Sequence, residues 1–339
     1  MPQAATLPDQ ATLDLESLTA DVVALAMKAG ATDAEAVVRE GDEFSVNVRM
    51  GAVETLKESG SRGLGLRVFL GTRSASTSTS DLTPEGIRQL VDGAIALAKV
   101  TEEDPFTGLP EAAEFGSVAD DLHLYYDDVY SLSGPERIEW ARRAEAAALA
   151  ADPRITNSDG GSFDAATGRK VLANSRGFVG GYSTSYAGVA AAPLAVDANG
   201  QMQRDAWWSS ARRLADLESP ESIGVEAARR TIRRLGARRV PTQQVPIVFA
   251  PEVARSLIGS VFEAASGDSI WRHASFLAGK LGSQIATSKL TIVDDNAMLL
   301  ANGTGGFGSS PFDGEGLPSL RTVVVEAGVL RNYLLNTYS

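Results

Sequence analysis

Leu15, Leu18, Val22, Leu25 and Ala29 recur at helical spacing and stop at Gly30, which predicts an opening helix with a glycine just past its end. The period then changes to two. Phe44, Val46, Val48 and Met50 alternate with polar residues, as do Leu64, Leu66, Val68 and Leu70, and a glycine closes each run, so both read as half-buried strands. Thr72 to Ser80 is rich in Ser and Thr but follows directly on the second run, and is read as a polar-faced strand rather than a loop. Thr83-Pro84 offers a capping hydroxyl and then a residue whose missing N–H costs nothing in a first turn, ahead of the stripe Ile87, Leu90, Ala94 and Leu97. These elements make a βαβ-like first domain. Between Thr101 and Asp128 the pattern dissolves into Pro, Gly and acidic residues, which marks the first boundary.

Ser133 and Glu136 have capping-box spacing ahead of an alanine-rich helix that runs to about Ala151. From Gly160 to about Ser210 glycines punctuate short alternating runs, with Thr167-Gly168 and Arg176-Gly177 as turn candidates, so an antiparallel meander is expected. Ser219-Pro220 starts another helix, which closes at Gly236. Val245 to Phe249 reads as a continuous apolar strand running into Pro251 and a helix through Phe262. Thr322 to Glu326 and Val329 to Leu335 form a hairpin around Ala327-Gly328. A lone hairpin is only marginally stable, so further strands are expected in a complete protein. The fold class is therefore α+β in three parts: an N-terminal α/β domain over 1–120, a central α+β domain over 121–238, and a mainly β, truncated C-terminal domain over 239–339.

Hydrophobic residues make up 44% of the chain and charged residues 22%, which is the balance of a folded globular protein. The net charge of -12 disfavours a phosphate-backbone partner. Arg229, Arg230, Arg233, Arg234, Arg238 and Arg239 are the one basic concentration, and they fit a solvated or subunit-facing helix end. Cysteine is absent, which excludes disulfides, thiolate nucleophiles and cysteine metal ligands within these residues. No apolar run is long enough to span a membrane, and the cytoplasm is the default location.

A mononuclear zinc hydrolase commonly uses two histidines one helical turn apart with a glutamate base beside the first. The only histidines, His123 and His273, lie in different predicted domains and cannot build that site. The same scarcity weakens Ser-His-Asp chemistry, though a serine with a lysine base stays formally open. Asp294-Asp295, Asp313 and Glu315 could form a carboxylate cluster for a hard cation, but Asp- and Gly-rich segments more often make turns. Asn302 to Gly308 contains four glycines without a P-loop lysine, which suits close approach to another chain or a peptide at least as well as phosphate binding.

Several segments then carry a family resemblance. Arg154-Ile-Thr-Asn157 followed by Gly160-Gly-Ser-Phe163, and Pro311-Phe-Asp-Gly-Glu-Gly316, are similar to signatures of the PmbA/TldE side of the TldD/PmbA family. So are Ser80-Asp81-Leu82-Thr83-Pro84, Arg229-Arg230-Thr231 and the closing Leu334 to Ser339, and the likeness runs from about residue 18 to the end. The resemblance implies a three-part α+β protein whose C-terminal domain is incomplete here. In the TldD branch the helix after the last-domain strand carries a His-Glu-x-x-x-His zinc motif. Its positions fall here on Arg255, Ser256 and Ser260, none of them a first-rate zinc ligand.

The resemblance therefore implies a non-catalytic subunit without a cofactor of its own, in a cytoplasmic heterodimer or higher assembly with a TldD-type metallopeptidase subunit that holds zinc. It implies unfolded peptides as substrates and no direct contact with nucleic acid or membrane. Gly305, Gly306, Phe307, Pro311, Phe312, Asp313 and Glu315 are expected near the partner interface or the reaction chamber. Two alternatives stay open: an independent metal-dependent peptidase using carboxylates such as Asp313 and Glu315, and an assembly protein that captures peptides by strand addition without catalysis.

Overall fold

The computed structural model describes residues 14–339, and its architecture is α+β. Helix α1 (Leu15–Lys28) starts at Asp14, whose carboxylate accepts the backbone N–H groups of Glu16 and Ser17. Strands β1 (Asp33–Arg49), β2 (Ala52–Leu70) and β3 (Arg73–Thr79) follow, and then helix α2 (Pro84–Ala98). The polar-faced strand expected after Leu70 is thus β3. The Thr83 hydroxyl accepts the N–H of Gly86 at 3.1 Å, as its position before Pro84 predicts. Thr83→Ala should cost about 1 kcal/mol of stability, the usual value of a lost N-cap, read as a lower urea midpoint at unchanged slope.

After an irregular stretch, α3 (Gly134–Ala150) opens on the Ser133/Glu136 capping box. It leads into the long strands β4 (Ile155–Asn174) and β5 (Val179–Val196), the short strands β6 (Met202–Arg204) and β7 (Trp207–Ala211), and helix α4 (Pro220–Arg233). One sheet, ordered β3-β2-β1-β4-β5-β6 with β7 also on β5, holds all seven strands, and every pairing in it is antiparallel. The βαβ-like start is therefore corrected in detail: α1 and α2 flank an antiparallel meander, because two-residue turns join its strands and leave no room for a crossover helix. The sheet also runs across residue 120, since β1 pairs with β2 on one side and with β4 on the other.

Arg176-Gly177 does form the β4–β5 turn, with Gly177 at φ +96. Thr167-Gly168 does not turn. It lies inside β4, opposite Asp42 and Gly41 of β1, and a Cβ on Gly41 would come within 2.5 Å of the Thr167 carbonyl oxygen. The glycine pair marks a close approach of backbones, not a reversal.

Side-chain alternation assigns the two faces of the sheet. Ala34, Ala36 and Val38 with Leu64, Leu66, Val68, Val171 and Ala173 pack against α1 and α2. Further along the same face, Phe44, Val46, Val48, Phe163 and Ala165 pack against α3, and Val189 and Ala191 pack against α3 and α4. The β1–β2 turn at Met50-Gly51, with φ +50 and +77, is tied to α3 by Glu145, which is 1% exposed. Its carboxylate accepts the Met50 N–H at 2.8 Å and the Gly51 N–H at 2.9 Å.

The C-terminal part contains α5 (Pro251–Ala264), α6 (Gly267–Trp271) and a small antiparallel sheet of β8 (Ile292–Asp295), β9 (Arg321–Glu326) and β10 (Val329–Leu330). Ala265, Leu277, Val324, Val325 and Leu330 form its core. The hairpin turn falls on Ala327-Gly328, at φ +46 and +79, as expected, but its second strand ends at Leu330 and not at Leu335. The strand expected over Val245 to Phe249 is absent: the segment has no ladder partner, and Ile247 and Val248 are 67% and 97% exposed. Pro246 removes a backbone donor in the middle of the run, which disfavours a central strand there.

Candidate functional site

Arg255, Ser256 and Ser260 lie on α5 and face solvent. The Ser256 hydroxyl donates to the Val253 carbonyl at 2.6 Å and the Ser260 hydroxyl to the Ser256 carbonyl at 3.0 Å, so both are turned back onto their own helix. Glu252, one turn earlier, is paired with Arg230 at 3.1 Å. Among the described residues no three His, Cys, Asp or Glu side chains are grouped to hold a metal ion, and the residues on α5 do not fit zinc. His123 and His273 lie on separate irregular segments, each at positive φ. At the arginine-rich end of α4, Arg229 pairs with Glu226 and Arg234 with Asp205, while Arg230 also stacks on Trp207 at 4.8 Å.

The glycine-rich loop is held to the sheet by an arginine that sequence reasoning missed. Arg212 follows β7 and is only 4% exposed. Its guanidinium donates to the carbonyls of Gly305 at 2.8 Å, Leu124 at 3.1 Å and Gly306 at 2.5 Å, and it lies 5.5 Å from the Phe307 ring centroid. Burial pushes its pKa down. The Arg212 carbonyl accepts the Ser185 hydroxyl at 2.6 Å, and the Ser185 oxygen in turn accepts the Tyr126 N–H at 2.8 Å. Gly305 donates to the Leu122 carbonyl at 2.8 Å, and a Cβ there would meet that same oxygen. Residues 122–126, β5, Arg212 and the loop thus form one locked unit, from which Phe307 projects at 56% exposure beside Tyr186.

The second motif docks next to it on the same face of the sheet. Phe312 is 1% exposed and meets Phe178 and Tyr182 edge-on at centroid distances of 5.1 and 5.3 Å. The Pro311 and Gly316 carbonyls accept the N–H groups of Val118 and Gly116. Asp313 builds the turn by accepting the N–H groups of Glu315 at 2.8 Å and Leu317 at 3.0 Å. Glu315 accepts both the N–H and the hydroxyl of Thr337 at 3.0 Å. These two carboxylates therefore serve turn and tail. Asp294 and Asp295 lie on β8, where Asp295 pairs with Arg321 at 3.6 Å, and burial followed by the Asp295 charge raises the pKa of Asp294.

Three segments of the chain match sequence models of the PmbA/TldA metallopeptidases: 34–98 the first domain, 127–235 the central domain and 242–339 the C-terminal domain. Metalloprotease PmbA of Escherichia coli O157:H7 is 38% identical over 317 residues, covering 93% of this chain and 69% of the relative. Among solved structures, one assigned as a modulator of DNA gyrase from Bacteroides thetaiotaomicron superposes with a TM-score of 0.89 at 24% identity, over 96% of this chain and 73% of the other. TldE from Thermococcus kodakarensis superposes with a TM-score of 0.81 at 17% identity, over 95% and 70%.

Proposed function

This chain belongs to the PmbA/TldA metallopeptidase family, and on that premise we propose that it is a non-catalytic, TldE-type subunit of a two-subunit peptidase acting on unfolded peptides in the cytoplasm. A TldD-type partner then holds the zinc. The observation that carries this reading is the chemistry of α5: a permanent cation at Arg255 and two hydroxyls already bonded to the helix backbone leave nothing there to bind a metal. The 38% identity to metalloprotease PmbA of Escherichia coli O157:H7 supports the choice of branch. No helix among the described residues is long and apolar enough to cross a membrane.

Of the segments expected near the partner, Phe307 is the one that offers a large exposed side chain, whereas Phe312 is enclosed by the chain itself. Phe307 is accordingly the contact we assign to the partner or chamber, with Gly305 and Gly306 holding it in place and Pro311 to Glu315 anchoring the segment behind it.

The test is hydrolysis of an unstructured peptide by the complete protein, alone and mixed with a TldD-type protein, with bound zinc quantified in each sample. Turnover and zinc should appear only in the mixture, and Arg255→Ala should leave that turnover within about twofold, since surface substitutions cost little. Turnover by the protein alone that is lost on chelation would overturn the reading.

A further inference from the structure

On the face of the sheet turned away from the helices, Arg39 of β1 stands directly opposite Lys170 of β4, and Lys170 directly opposite Tyr182 of β5. Residues opposed in this way have Cβ atoms about 4.5–5.5 Å apart, and like charges so placed repel. Cations on the adjoining strand β2 are compensated: Arg62 pairs with Glu40 at 2.8 Å and Arg67 with Glu35 at 3.2 Å. Among the described residues, Arg39 and Lys170 make neither an ion pair nor a side-chain hydrogen bond. The Lys170 ammonium instead lies 5.5 Å from the Phe312 ring centroid and 5.8 Å from that of Tyr182. Burial, and next the Arg39 charge, push its pKa down. Two carboxylates oppose this shift from a distance, Asp313, which accepts two backbone N–H groups, and Glu35, which pairs with Arg67.

The two cations border a cavity of about 220 Å³ together with the paired Arg67 and Glu35, which leaves its wall with an excess of positive charge. Val37 and Leu172 give it apolar walls, while Gly65 and Gly314 leave room where side chains would otherwise stand. An excess of cations beside an apolar hollow is suited to an anion that carries an apolar group.

We propose that this cavity binds a peptide carboxylate, with Arg39 and Lys170 holding the anion and Val37 and Leu172 receiving the apolar residue attached to it. A C-terminal leucine or valine supplies both groups at once. Phosphate fits less well, because half of the wall could not hydrogen-bond to it. The inference adds a substrate-end preference to the peptidase reading and rests on it for the choice of a peptide. Its test needs only this protein, so the two fail separately.

The complete protein, without a partner, would be titrated calorimetrically with N-acetyl-Ala-Ala-Leu as free acid, with the corresponding C-terminal amide, with an amide carrying Glu in place of Leu, and with inorganic phosphate. The free acid should bind at least tenfold more tightly than the Leu amide, and Lys170→Gln and Arg39→Gln should each remove at least that factor. Without peptide, Arg39→Gln should not melt below the parent, because it relieves a repulsion at an exposed position. Binding of the Glu amide as tight as that of the free acid would support the carboxylate site and assign it to an acidic side chain. Equal binding of free acid and Leu amide, tighter binding of phosphate than of either, or unchanged affinity in both variants would overturn the proposal.

Discussion

Replacing Arg212 by methionine is expected to lower stability by about 3 kcal/mol and to free the glycine-rich loop, since each lost bond from a charged donor to a buried carbonyl is worth roughly 1.5–3 kcal/mol and water recovers part of that. Arg212 bonds the carbonyl of Leu124 and those of the adjacent Gly305 and Gly306 together, joining two segments far apart in sequence. Methionine fills a similar volume, so packing loss stays small and the missing donors dominate. Urea unfolding gives the stability change, and amide exchange at Gly305 and Gly306 reports the loop. Arg212→Lys should recover little, because one ammonium cannot reproduce the planar fork. An unchanged urea midpoint with unchanged exchange in Arg212→Met would show that the guanidinium is not what locks the loop.

Glu145→Ala should cost about 3 kcal/mol, from two orphaned N–H donors at roughly 1–3 kcal/mol each together with the space left by the side chain. The two donors belong to Met50 and Gly51, a turn already in the left-handed region, and Glu145 is almost wholly enclosed. Glu145→Gln is the sharper variant. Its amide oxygen can still accept one N–H while the NH₂ group faces the other, donor against donor, so it should retain less than half of the parent contribution. Equal stability of parent and Glu145→Gln in urea would mean that water, not the carboxylate, satisfies this turn.

What could be seen in the sequence was whatever is local. Thr83-Pro84, Ser133 with Glu136, and Ala327-Gly328 each act on backbone groups within four residues, and each stands where its chemistry requires. Long-range partners left weaker marks. Gly168 resembles a turn glycine until β1 is known to lie against it, and the apolar run at Val245 suggests a strand although no neighbour is there to pair with it and Pro246 argues against one. Arg212 is one of two consecutive arginines in a polar stretch, and nothing nearby tells that its guanidinium is buried against a loop some ninety residues on. The motif at Pro311 was recognisable as a unit, but whether Phe312 faced a partner or the chain's own interior depended on Phe178 and Tyr182, more than a hundred residues earlier.

The position of β1 between β2 and β4 also governs how the chain can be made. Its pairing with β2 closes within a few residues, but Glu35 pairs with Asn174 and Val48 with Gly161, so the other edge stays open until more than a hundred further residues have been synthesised. At roughly 5–20 residues per second, that leaves a long hairpin with an unsatisfied edge for some seconds on every ribosome, a template for pairing with the wrong chain. Arg39, Glu40, Asp42 and Glu43, with a glycine among them, sit in the middle of that edge, where charge and a flexible backbone discourage such errors while β4 is awaited.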